Sequence, residues 1–138
     1  MIYVLDTDLM SLLQRNTPDA RRLELRLLDV EHATTIITFE EQMRGWLAWI
    51  ARAKNLAEQV DRYAKLKNTL EQYTQFTVMD FDDAAARVFY QLQQQRLRIG
   101  TMDLKIAAIA IANNATLLSR NLKDFSKIPT LQVEDWAA

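Results

Sequence analysis

Four carboxylates stand where a shared chemistry could use them. Asp6 follows the apolar run Ile2–Leu5, and Glu41 comes shortly after Ala33–Ile37. Asp103 lies just behind Gly100 and Thr101, and Asp124 follows Ala115–Leu118. Taken singly, each reads as a helix cap or first-turn acid, because carboxylates favour helix N-termini. Gathered at one rim of a sheet, they would repel one another, and a divalent cation is the usual remedy. Mg²⁺ takes oxygen ligands, keeps several waters and needs only one or two direct carboxylates. Such a cation keeps neighbouring acids ionised, and helix dipoles at Glu41 and Asp103 are expected to push the same way. An oxygen-only site with open water positions suits phosphate chemistry, because a bound cation activates water and steadies a leaving oxygen. The chain has no Cys and a single His, His32, so Cys-His, Ser-His and His-rich zinc schemes are poorly supplied. His32 itself, at the start of a strand, is expected at the surface or in a loop, on the rim away from the acids.

An α/β arrangement would bring these acids together. Ile2–Leu5, Ala33–Ile37, Phe76–Met79, Ala115–Leu118 and Leu131–Val133 read as short strands bounded by polar residues. Between them the spacing predicts helices over Asp8–Gln14 and Asp19–Val30. A long helical stretch from Thr38 to Tyr73 should break near Lys54-Asn55. Asp82 is placed to cap a helix reaching Leu97, and Thr101 to cap another through Asn113. Asn121–Phe125 reads as a turn. Strands alternating with helices imply an α/β domain around a mostly parallel sheet. In such sheets ligands bind outside the carboxyl ends of the strands, which is where the four acids fall.

The bulk composition sets limits. A length of 138 residues suits one domain, 1–138, with a real core. Seventeen basic residues against eighteen acidic ones mean that any nucleic-acid surface must be local. Two Gly and two Pro argue for a helical rather than a loop-rich chain. The start MIYVLD lacks the basic region of a signal peptide. The longest strongly apolar run, Ile106–Ala112, falls far short of the ~20 residues that span a bilayer. A protein without membrane association, in the cytoplasm, is the expectation.

Four motifs taken in order then resemble those of a known family. LDTD at Leu5–Asp8, ITFEEQMRG at Ile37–Gly45, TMDLKIAAIAI at Thr101–Ile111 and LLSRNLKDF at Leu117–Phe125 are similar to the successive motifs of PIN-domain ribonucleases. The nearest likeness is to the VapC-type toxins of bacterial toxin–antitoxin pairs. IPTLQVEDW, Ile128–Trp136, resembles the usual end of that family. The resemblance implies a PIN-like three-layer sandwich, with a mostly parallel central sheet flanked by helices. It also implies endonucleolytic cutting of RNA with Mg²⁺ or Mn²⁺.

Carried over by position, the family's acids fall on Asp6, Glu41, Asp103 and Asp124, as catalytic residues and metal ligands. Glu40 is the rival of Glu41, since adjacent helical residues point about 100° apart. Asp8 stands where many relatives have Asn, and is assigned with Asn121 to the surroundings of the metal site. Asn121 and Asp124 compete for the fourth position. The implied reaction is in-line attack of an activated water, leaving a 5′-phosphate and a 3′-hydroxyl. Cations must draw an RNA strand towards four acids, and Arg44, Lys105 and Arg120 are the candidates, each with a solvated helix face as its plain alternative. The family also implies a cognate antitoxin protein and a homodimer, with Trp46, Trp49, Leu56 and Val60 as partner-facing residues. Trp46 and Trp49 could instead stack on bases, although apolar residues at helical spacing are more often buried.

Besides a relative that cuts DNA rather than RNA, which sequence does not separate, two rival functions remain at this point. Asp6-Thr7-Asp8 after a strand also resembles the start of haloacid-dehalogenase-type phosphatases, but Leu9, Met10 and Ser11 follow and Glu41 has no role there. A PIN fold serving only as a catalytically inactive binding module is the other.

Overall fold

The computed structural model describes residues 1–137. Its elements run β1 (Ile2–Leu5), α1 (Thr7–Leu13), α2 (Pro18–Leu27), β2 (Glu31–Thr35), α3 (Ile36–Ala51) and α4 (Leu56–Tyr73). They continue with β3 (Thr77–Met79), α5 (Asp83–Gln94), α6 (Thr101–Ala112), β4 (Thr116–Leu118), α7 (Leu122–Phe125) and β5 (Gln132–Glu134). The five strands form one sheet in the order β3-β2-β1-β4-β5, and every pairing is parallel. The expected mostly parallel sheet is therefore wholly parallel.

Alternation along the two central strands builds three layers. Successive strand residues face opposite sides. Val4 and Leu117 enter a core shared with α5 and α6, while Leu5 and Leu118 enter a second core with α1, α2 and Tyr73. All four are fully buried, which explains why these strands are apolar on both faces. Helix α6 is buried over nearly its whole circumference, from Ile106 through Ala110. Its alanines keep it slim enough for close approach on α5.

Several boundaries differ from the sequence expectation, each for a local reason. β2 begins and ends two residues early, and Ile36 and Ile37 open α3 instead. The Thr35 hydroxyl accepts from the Thr38 amide at 3.0 Å, and this cap starts the helix despite a β-branched run. Thr17 similarly caps α2, so that helix starts at Pro18 and stops at Leu27. Gly100, not Thr101, is the N-cap of α6. α5 ends at Gln94, after which Arg96 takes a left-handed φ of 53° where Gly is the usual residue. Asn121–Phe125 is a short helix, α7, rather than a turn, and the last strand lies one residue later than expected. The break in the long helical stretch falls at 52–55, and Asp82 caps α5 through the Ala85 amide. His32 is half-buried within β2, not in a loop, and packs edge-on against Phe76. It does lie at the strand's amino end, away from the acids.

The sheet order fixes where a site can form. From β1 the chain moves outward through β2 to β3, and then returns to the other side of β1 for β4 and β5. The order reverses between β1 and β4, and the crevice beyond their carboxyl ends is the natural ligand position in an open parallel sheet.

Candidate active site

Asp6 leaves β1 directly into that crevice. Its amide donates to the Leu118 carbonyl at 3.2 Å, which ties it to β4. One carboxylate oxygen accepts from the Leu9 amide at 2.9 Å and so caps α1. Ser119, just past β4, also hydrogen-bonds the carboxylate. Cap and cluster member are therefore one residue. Asp6 is only 5 % exposed. Burial pushes its carboxyl up to about 6, against the pull of the Ser119 and Leu9 bonds, and the charges of Asp8 and Asp103 add to the rise.

Asp103 reaches the same crevice from the first turn of α6. It is half-buried, and burial raises its carboxyl above the usual range, with the charges of Glu41 and Asp124 adding to it. The helix dipole expected to keep this acid ionised is thus outweighed by desolvation and like charge. Glu41 does not share that dipole, because α3 begins at Ile36 and places Glu41 in the second turn. Its Oε1 accepts from the Thr7 hydroxyl at 2.5 Å. Glu40 turns elsewhere and pairs with Arg44 at 2.5 Å on the exposed side.

Asp124 is held on α7 by two neighbours. The Asn121 side-chain amide donates to one carboxylate oxygen at 3.1 Å, and the Lys127 ammonium to the other at 3.2 Å. These bonds hold its carboxyl below the usual range, the Asn121 bond most of all. Asn121 also caps α7, and its own amide donates to the Ser119 hydroxyl at 2.9 Å. One hydroxyl therefore joins Asp6 to the loop that carries Asn121 and Asp124.

The cations have partners of their own. Arg120 makes a two-pronged contact with Asp8, Nε to Oδ2 at 2.6 Å and Nη2 to Oδ1 at 2.8 Å. Arg44 is engaged by Glu40. The Lys105 ammonium sits 5.8 Å from the Phe81 ring centre and 5.7 Å from that of Phe89. Thr7, Ser119 and Lys127 escaped the sequence reading. The available signal was a hydroxyl residue immediately beyond two adjacent strands, and a lysine one helical turn past an acid.

Asp103 feels the charges of Glu41 and Asp124, and Asp6 that of Asp103, but the four acids do not converge tightly. Among the described residues, no three His, Cys, Asp or Glu side chains form a ready cage for a metal ion. The donor chemistry nevertheless fits a hard cation: oxygen atoms only, on carboxyls that burial first, and like charges second, raise at Asp6 and Asp103. A cation that retains most of its waters needs one or two of these carboxylates, not a cage. The near-complete burial of Asp6 also leaves it poorly placed as the exposed nucleophile of a phosphatase.

Beside the acids, an open groove of about 440 Å³ runs from Thr7 and Glu41 to Trp46 and Trp49. On the outer side of α4, Leu56 and Val60 are 76 % and 71 % exposed. Trp46 and Trp49 are half-buried against each other, with ring centres 5.3 Å apart.

Comparison with known proteins bears on the family and the fold. The family model described as PIN domain matches residues 3–131. Ribonuclease VapC2 of Rickettsia felis is 33 % identical over 144 aligned positions, covering 99 % of this chain and 98 % of that protein. The structure of VapBC2 from Rickettsia felis, bound to a promoter DNA fragment, aligns with a TM-score of 0.74 at 31 % identity over 99 % of both chains. That of VapBC-1 from nontypeable Haemophilus influenzae aligns with a TM-score of 0.79 at 25 % identity over the whole of both chains.

Proposed function

The chain belongs to the PIN-domain family, among its VapC-type ribonucleases, and on that premise we propose that it cuts RNA at the crevice between β1 and β4. The observation that carries this reading is Asp6. It is a carboxylate buried at the switch point of the sheet, raised to about 6, with the charge of Asp103 bearing on it.

Asp6 and Asp103 are the residues that would hold a divalent cation, Mg²⁺ or Mn²⁺, with Glu41 and Asp124 completing its surroundings. When bound, such a cation supplies Lewis acidity, lowering the pKa of a coordinated water and offsetting charge on the phosphodiester. The chain's own residues do the positioning. The Leu9 amide and Ser119 hydroxyl fix the Asp6 carboxylate, and Thr7 fixes Glu41 through Oε1. The second oxygen of Glu41 remains to orient the attacking water and to take its proton. Asp124, kept ionised by Asn121 and Lys127, contributes charge from the far side. In-line attack then leaves a 5′-phosphate and a 3′-hydroxyl.

Lys105, Arg44 and Arg120 draw the RNA backbone in, the two arginines by exchanging carboxylate partners for phosphate. Solved VapBC relatives pair a toxin with an antitoxin, which supports a cognate antitoxin for this chain. A homodimer and a cytoplasmic setting belong to the same proposal. No helix of the described residues is long and apolar enough to cross a membrane.

Incubating RNA with the purified chain in Mg²⁺, Mn²⁺ or EDTA tests the reading. Cleavage that requires the cation and leaves 5′-phosphate ends is expected. Intact RNA under all three conditions would contradict it.

A further inference from the structure

We propose that the groove beside Glu41 is a nucleobase subsite, in which Trp46 stacks on one base of the RNA while Ser11 and Gln14 read its edge. The inference rests on the ribonuclease reading of the adjoining acids and adds to it a determinant of where the strand is cut.

Four features favour a base over an apolar partner helix. First, the groove includes Glu41 of the four acids, which lines it with Thr7 and the two tryptophans. A base lodged there places the neighbouring phosphodiester towards the crevice. Its volume of about 440 Å³ lies within the roughly 300–1,000 Å³ of ordinary small-ligand sites.

Second, the aromatic platform is held in advance of binding. Trp49 packs beside Trp46, the rings tilted by 55° with centres 5.3 Å apart; Arg62 lies 4.5 Å from the Trp49 ring centre, and its guanidinium donates to the Trp49 carbonyl at 2.6 Å. A rigid indole offers a stacking face that any base can use.

Third, the polar edge is braced by a hydrogen-bond network. The Gln42 amide donates to Ser11 Oγ at 3.0 Å, while Gln42 Oε1 accepts from Tyr73 at 2.6 Å and from Gln14 at 3.0 Å. Gln14 also donates to Gln72 at 2.8 Å. These contacts use the Gln14 amide hydrogens and leave its carbonyl as an acceptor, while Ser11 retains its own proton as a donor. An acceptor beside a donor is the pattern that distinguishes one base edge from another.

Fourth, two cations stand along the continuation of the groove, where a phosphate could exchange for their carboxylate neighbours. A second cavity of about 670 Å³ continues from Ser11, Gln14 and Trp46 and is lined by Arg15 and Lys65 together with Glu24, Lys65 being paired with Asp61 at 3.1 Å. A strand leaving the stacked base would pass these two cations.

The test uses the full chain carrying Asp103→Asn, so that binding is read without cutting. Fluorescently labelled, short single-stranded oligoribonucleotides, one homopolymer for each base, are titrated by anisotropy. Adding Trp46→Ala is expected to weaken the best-bound oligonucleotide roughly ten-fold or more, as loss of base stacking commonly does. Trp46→Phe should restore most of that loss, and Gln14→Ala should narrow the differences between bases. In the cutting-competent chain, Trp46→Ala should raise KM more than it lowers kcat and should change which bonds are cut.

Equal oligonucleotide binding and an unchanged cleavage map in Trp46→Ala would overturn the subsite. So would a Trp46→Ala chain that keeps its RNA affinity and loses a protein partner. Should Trp46→Ala fail to fold by circular dichroism, the base preferences of Gln14→Ala decide in its place; preferences unchanged from the parent overturn the subsite. The two readings fail separately. Binding that depends on Trp46 in a chain that never cuts would uphold the groove and remove the nuclease. Cutting with a map indifferent to Trp46 would do the reverse.

Discussion

The Arg120 guanidinium grips both carboxylate oxygens of Asp8, at 2.6 and 2.8 Å. It thereby joins the start of α1 to the loop after β4, directly across the crevice that holds Asp6. The bond and charge of Arg120 hold Asp8 below the usual carboxylate range. Asp8 is consequently a partner of Arg120 before it is anything to a cation.

Replacing Arg120 should separate stability from activity. The two side chains are 39 % and 48 % exposed, and ion pairs of that exposure contribute at most about 1 kcal/mol. Arg120→Ala should therefore shift the urea midpoint only slightly while lowering kcat/KM for RNA cleavage about ten-fold. Arg120→Lys should not restore the rate, because an ammonium lacks the planar two-pronged geometry. A large loss of stability with normal cleavage would contradict this assignment.

Asp6 makes a prediction about pH. Its folded-state carboxyl is raised from 3.8 to about 6, so the folded chain holds this proton more tightly than the unfolded chain does. The resulting penalty is nearly absent below about pH 4, grows between about pH 4 and 6, and is complete above that. At neutral pH it amounts to on the order of 2–3 kcal/mol. Asn also caps helices well, so Asp6→Asn in EDTA should raise the melting temperature by several degrees at pH 7.5 and change it little at pH 4. Lowered stability at pH 7.5 would show that the buried charge is compensated within the chain.

Glu40 and Glu41 should behave as opposites. Glu41→Gln is expected to lower the cleavage rate about a hundred-fold, within the range attributed to a positioned acid–base group. Glu40→Gln removes only an exposed pair with Arg44 and should leave the rate within a factor of about three. Initial rates on one labelled RNA decide between them, and equal losses in both variants would contradict the orientation of α3 described above.

The alternation of Val4 with Leu5 and of Leu117 with Leu118 made the parallel sheet readable, since only strands covered on both faces are apolar at every position. Asp6 was readable as a carboxylate at a strand end. Its double duty was not, because the hydroxyl of Ser119 reaches it from across the sheet. The start of α3 was misplaced because Ala33–Ile37 has the composition of a strand, while the cap that overrides it rests on the single hydroxyl of Thr35. Arg96 hid the end of α5 for a similar reason, as a left-handed φ at a non-glycine residue leaves no mark in the chain. The engagement of Arg120 by Asp8, 112 residues apart, was equally invisible. A basic residue beside a nuclease-like motif reads as an RNA contact until its carboxylate partner is seen.

The most direct measurement follows cleavage of an end-labelled RNA by the chain and by its Asp6→Asn and Asp103→Asn variants, purified side by side, in Mg²⁺ and in EDTA. Cutting by the parent chain in Mg²⁺ alone, lost in both variants although each remains folded, is the predicted result. Cutting that persists in either folded variant would place the chemistry somewhere other than the crevice between β1 and β4.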